Sequence, residues 1–129
     1  MKPRDMAIWE RFISQNPDRF QSVEYDVHVG DPRDNDENLS AEMQRDREAL
    51  GRRKIDVVAY DSGHIHIIEV KPNAGATALG QAIMYDYLYT RDHKPKLETI
   101  ATIVTDVASP NLQDLCNEHN ILLVEVGTE

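Results

Sequence analysis

Residues 54–71 constrain the fold more than any other part of the chain. Two apolar runs, Lys54 to Asp61 and His64 to Lys71, flank the dipeptide Ser62-Gly63. Short runs rich in Val and Ile, joined by two turn residues, read as a β-hairpin. With Ser62-Gly63 as the turn, Asp61 pairs with His64, and the same register carried along both strands sets Asp56 directly opposite Glu69. Residues opposed in this way project from one face, with Cβ atoms ~4.5–5.5 Å apart. Lys71 lies two residues beyond Glu69 and projects from that face as well.

Two carboxylates held this close repel unless positive charge lies between them. Their neighbours are Val57, Val58, Ile65, Ile67, Ile68 and Val70, so the charges sit inside an apolar hairpin. A divalent cation satisfies both groups. Hard oxygen ligands suit Mg²⁺, which takes one or two carboxylates and keeps several waters for a substrate phosphate. Lys71 then stands where it orients or deprotonates a water, or neutralises charge on a transferring phosphoryl group. The alternative is a solvated Asp and Glu, with Lys71 in an ordinary surface pair with Glu69.

The remaining segments supply a sheet around the hairpin. Apolar residues at Ile8, Trp9, Phe12 and Ile13 have helical spacing from Pro3 to Gln15, and Asn16-Pro17-Asp18 stops that helix. Ser22 to Val29 alternates, which puts Val23, Tyr25, Val27 and Val29 on one face of a strand. Residues 30–38 are a polar loop, and Ser40 caps a short helix ended by Gly51. A helix from Gly75 to Arg91, a buried strand from Thr99 to Val107, a helix from Pro110 to His119 and a buried strand from Ile121 to Val126 follow. The order αβ(α)ββαβαβ predicts an α/β fold: one mixed five-stranded sheet flanked by helices, antiparallel early and parallel later. At 129 residues it is expected to be a single domain over 1–129.

The hairpin resembles the active-site hairpin of the PD-(D/E)XK nuclease superfamily. That pattern is an Asp, a strand-turn-strand, then Glu-x-Lys; here it is Asp56 followed by Glu69-Val70-Lys71, with Ile55 in place of the Pro. Gly80-Gln81-Ala82-Ile83-Met84-Tyr85 is similar to the Gln-x-x-x-Tyr signature of RecB-type nucleases, with Gln81 and Tyr85 on one helix face. The element order matches a restriction-endonuclease-like core. The resemblance implies Asp56 and Glu69 as ligands of Mg²⁺ or Mn²⁺ assisted by the Val70 carbonyl, and Lys71 as the residue that positions or activates water. It implies that Gln81 and Tyr85 contact the scissile strand or orient the site; the competing reading of those two is a helix face packed on the sheet. It also implies a carboxylate from the first helix, for which Glu10 is the candidate and Glu48 the reserve.

Other residues carry less. Arg45, Arg47, Arg52, Arg53 and Lys54 lead into Asp56, either as a solvated helix end interleaved with Asp46 and Glu48 or as DNA phosphate contacts. His64 and His66 share a face opposite to Glu69 and read as hairpin packing or solvent-facing groups, and His28 is the one histidine placed before Asp56 where some RecB-type nucleases carry a further ligand. Cys116, the single cysteine, excludes an internal disulfide and a Cys-based zinc site and reads as core. No apolar run approaches ~18 residues and none follows Met1-Lys2-Pro3-Arg4-Asp5, so no membrane span or signal peptide is expected and a cytoplasmic setting is.

The formal charge of −9 stands against a nucleic-acid partner, because such proteins usually carry a basic footprint. It is unevenly spread. Residues 1–97 hold all 14 basic residues and 17 acidic ones, a balance of −3, and the other six acids lie after residue 97. The expected function is a metal-dependent nuclease acting on DNA. The alternative is a non-catalytic subunit of the same fold serving binding or assembly, and a more distant one is a small phosphohydrolase acting on nucleotides. So short a chain leaves little room for a separate DNA-binding module, so a homodimer or a larger complex is expected.

Overall fold

The computed structural model describes residues 1–30 and 53–128. The elements are α1 (Pro3–Gln15), β1 (Ser22–Val29), β2 (Arg53–Tyr60), β3 (His64–Val70), α2 (Ala76–His93), β4 (Glu98–Thr105), α3 (Leu112–Glu118) and β5 (Leu122–Glu125). They form a five-stranded sheet in the order β1-β2-β3-β4-β5. The first three strands are antiparallel; β3–β4 and β4–β5 are parallel. The α/β architecture with a mixed five-stranded sheet is as the sequence predicts. The short helix expected after Ser40 lies outside the described residues.

Local chemistry explains the element ends. Pro3 stands in the first turn of α1, where its missing N–H costs nothing, and the helix stops at Asn16, whose amide Nδ2 donates to the Phe12 carbonyl at 2.9 Å. Lys94, with φ +45°, ends α2 just before Pro95. At the hairpin, Asp61 Oδ1 accepts from the N–H groups of Gly63 and His64 at 2.9 and 2.7 Å. This local bonding fixes the turn at Ser62-Gly63 and pairs Val57 to Tyr60 with Ile68 to Ile65, the predicted register.

Helices cover both faces. Ile8, Trp9 and Phe12 of α1 pack on Val57, Ala59, Ile68 and Val70. On the other face Ala78 and Ala82 bring α2 down onto Ala101 and Ile103, with Leu112 and Cys116 of α3 beside them. Tyr85 and Tyr89 cover Ile55, Val58, Ile65 and Ile67 further along. Cys116 is fully buried, as expected for a core residue.

Three expectations are corrected. Val23 packs against the α1 core, but Val27 and Val29 pack against the α2 core, so β1 does not keep one apolar face. The change falls at Asp26, whose φ of +52° turns the strand over. On β2, Val57 and Ala59 face α1 while Ile55 joins Val58 on the α2 side, so that strand also changes face across Asp56. The β1–β2 pairing runs on either side of Asp26 and Asp56 and omits both. Second, α3 begins at Leu112 because Asn111 adopts φ +69°, so Pro110 precedes the helix rather than sitting in its first turn. Third, β5 is a half-exposed edge strand; Leu122 is 41% exposed.

Candidate active site

The β2–β3 ladder ends at Val57 and Ile68. One step further the strands part, and Asp56 Oδ2 accepts the backbone N–H of Val70 at 2.8 Å. Asp56 and Glu69 are therefore not a laddered cross-strand pair, as the extended register implied. They meet in a cavity of about 410 Å³ that both line, together with Val70, Lys71 and Tyr85. Glu69 sits on the α2 face, because His66, Ile68 and Val70 take the alternate positions toward α1.

The two carboxyl groups are electrostatically unusual. Burial first, then the charge of Asp56, pushes Glu69 up to about 8, with Lys71 pulling the other way. Burial also pushes Asp56 up to about 6, opposed by the Val70 N–H and reinforced by Asp5. Glu69 is 7% exposed, and its Oε2 is buried with no hydrogen-bond partner. An acceptor kept away from water and left unmet is costly unless something else supplies positive charge.

Lys71 is fixed through its backbone. Its N–H donates to the Val104 carbonyl at 3.0 Å, and the loop after it is tied down where the Ala74 N–H donates to Thr105 Oγ1 and the Asn73 N–H to Asp106 Oδ1. The end of β4 thus holds the residue that follows Glu69 and Val70 on β3. From α2, Tyr85 reaches the cavity, 8% exposed, and its hydroxyl accepts a hydrogen bond from Arg53. Burial, then Glu69, pushes that hydroxyl up.

The sequence-predicted residues divide clearly. Asp56, Glu69, Val70, Lys71, Tyr85 and Lys54 line one cavity, with Arg53 joined to it through Tyr85. Gln81 does not line it. It is half-buried one turn before Tyr85, and its Oε1 is buried without a partner. Glu10 is exposed and lines a neighbouring pocket instead. Arg45, Arg47, Glu48 and Arg52 lie outside the described residues. Two carboxylates that sequence reasoning passed over take part: Asp5 from the first turn of α1 and Asp26 from β1 both line the cavity. Among the described residues, no three His, Cys, Asp or Glu side chains come together as a metal-holding group.

The histidines lie elsewhere. His66 is buried against Phe20 and bonded through Nε2 to Asp61 Oδ2 at 2.7 Å, and this contact, followed by the Gly63 N–H, holds Asp61 well below the usual carboxylate range. His28 is exposed on β1 opposite Lys54. The pair His66–Asp61 braces the hairpin at the end away from Glu69.

No protein-family model matches the chain, and no curated protein gives a significant match. A solved structure does: the crystal structure of the protein of unknown function AF1548 superimposes with a TM-score of 0.53 at 20% identity, over 93% of this chain and 55% of that one. The likeness is one of fold. The chain spans little more than half the length of that neighbour. Among the described residues no helix is long and apolar enough to cross a membrane.

Proposed function

We propose that the chain is a metal-dependent nuclease that hydrolyses DNA phosphodiester bonds in the Asp56–Glu69–Lys71 cavity, on the plan of the PD-(D/E)XK superfamily. The observation that carries this reading is Glu69: a buried carboxylate with an unmet oxygen, facing a second carboxylate across a cavity that also holds a lysine. Such a donor set fits Mg²⁺ or Mn²⁺, which bind through one or two carboxylates and keep water in their other positions. When bound, an ion of this kind polarises a phosphoryl oxygen and acidifies water. Asp56 and Glu69 would hold it, with Asp5 adding negative charge at the rim, where Asp26 is paired with the Met1 ammonium at 3.1 Å.

The chain's own residues then do the positioning. Lys71, anchored by β4, draws the scissile phosphate and orients the attacking water. The Tyr85 hydroxyl, held by Arg53, and the Lys54 ammonium contact the flanking phosphates. Gln81 borders the strand one helical turn away. A reducing, cytoplasmic setting, and a homodimer or a larger complex, belong to the same proposal.

The test is incubation of the protein with single-stranded, double-stranded and branched DNA in Mg²⁺ or Mn²⁺. The wild type is expected to cleave, and Lys71→Ala to be slower by about a hundredfold or more. Equal behaviour of the two on every substrate overturns the reading. A second reading, a non-catalytic binding or assembly subunit, is favoured by the −9 charge. It predicts no Mn²⁺ binding by calorimetry and a protein partner recovered by pull-down.

A further inference from the structure

Beside the carboxylate cavity, and sharing Met1 and Asp26 with it, lies a second pocket of about 320 Å³ between α1 and β1. Its walls are apolar: the side chains of Met1 and Met6, the edge of Trp9, and Tyr25. Trp9 is 4% exposed and forms the base, donating through Nε1 to the Tyr25 hydroxyl at 3.1 Å with the two rings edge to face. Tyr25 is 51% exposed and Met6 46% exposed, so a flat polarisable surface stays open to solvent. The polar groups on the pocket are the Tyr25 hydroxyl and two carboxylates, Glu10 and Asp26, and the Met1 ammonium pairs with Asp26 at 3.1 Å.

We infer that this pocket takes an unpaired nucleobase of the DNA strand whose phosphate enters the Asp56–Glu69 cavity, which makes single-stranded or flapped DNA the substrate class. The inference rests on the proposed nuclease function and deepens it. Three observations favour a base as the occupant. The volume is at the small end of the roughly 300–1,000 Å³ of small-molecule sites, room for one ring system rather than a polymer segment. Aromatic and thioether walls suit stacking, which is indifferent to sequence because every base has a π-face. Carboxylates repel a phosphate but accept from ring N–H and amino groups, as Glu and Asp do from the cytosine amine. The shared residues Met1 and Asp26 make the two pockets continuous, so a base seated in one keeps its own strand at the other. A base stacked and paired inside a duplex cannot enter. Glu10, which stands apart from the carboxylate cavity, gains a place here as a reader of the base edge.

The test uses short labelled oligonucleotides in chelator, so that binding is read without cleavage. Trp9 is the only tryptophan, and its emission reports occupancy at the base of the pocket. Single-stranded (dC)₈ is expected to bind saturably and to shift that emission. A strand of equal charge carrying abasic positions should bind about tenfold more weakly or worse, as should intact (dC)₈ with Tyr25→Ala, while Tyr25→Phe keeps the affinity. Base-bearing and abasic strands binding alike, or Tyr25→Ala binding as well as wild type, overturns the inference even if DNA is cleaved with Mn²⁺. Base-dependent binding with no cleavage of any substrate supports the pocket and removes the nuclease reading instead. A change in the sedimentation of Tyr25→Ala alone, with DNA affinity untouched, makes the pocket a contact between copies and overturns the inference.

Discussion

Glu69 and Asp56 hold protons that ordinary carboxylates release. In the unfolded chain both groups ionise near their usual values of about 4. In the folded, metal-free protein they stay protonated until about 6 for Asp56 and about 8 for Glu69. Between pH 5 and pH 8 the unfolded state therefore binds fewer protons, and stability falls as pH rises. Thermal unfolding in chelator should show Tm dropping by about 5 °C or more across that window. Glu69→Gln should flatten most of the drop, and Mg²⁺ should restore Tm at pH 8 in the wild type. At this scale the sequence was informative where chemistry and spacing coincide, as for Asp56, Glu69, Lys71 and Tyr85. It does not place Glu10, which lines the neighbouring pocket, because the apolar stripe of α1 locates the sheet-facing side and says nothing about which end of the helix abuts the cavity. Asp5 is there because the first turn of α1, not its middle, reaches Asp56. The signal for Asp26 was slight: an Asp in mid-strand, where that residue is disfavoured.

At the scale of elements, the hairpin was readable because the turn is bonded locally by Asp61 and the apolar runs on either side leave one register. The strand β1 was not, since period-two alternation assumes an unbroken pleat. Asp26 breaks it with a left-handed backbone, and the apolar residues after it go to the other face. That conformation is tolerated by Asp, Asn and Gly and costs a β-branched residue roughly 1–2 kcal/mol. Denaturant unfolding should rank Asp26→Gly and Asp26→Asn above Asp26→Val by about that amount. If all three unfold at the same midpoint, the left-handed turn is not what redirects β1. The Leu and Val content of β5 predicts a buried strand, yet a strand with a neighbour on one side only keeps half its surface exposed.

For the whole molecule, the order of elements sufficed to predict a mixed five-stranded sheet, because hairpins force antiparallel neighbours and helical crossovers force parallel ones. Charge is the property that most shapes how it meets a partner. Most of the excess of acid lies after residue 97, while Lys2, Arg53, Lys54 and Lys71 gather at the cavity. With about four phosphates met by these cations, log affinity for DNA should fall against log salt with a slope no steeper than about −4. Anisotropy titrations at several salt concentrations check this, and a slope of twice that size would place the DNA on a surface other than the one described.

The central claim is that the Asp56–Glu69 pair is a divalent-cation site. Calorimetric titration of Mn²⁺ at pH 7, repeated in buffers of different ionisation heat, tests it most directly, because a cation entering this pair must expel the proton that Glu69 retains. The prediction is one ion per chain, about one proton released, and loss of both with Glu69→Gln. Binding that is absent in the wild type, or unchanged in Glu69→Gln, contradicts it.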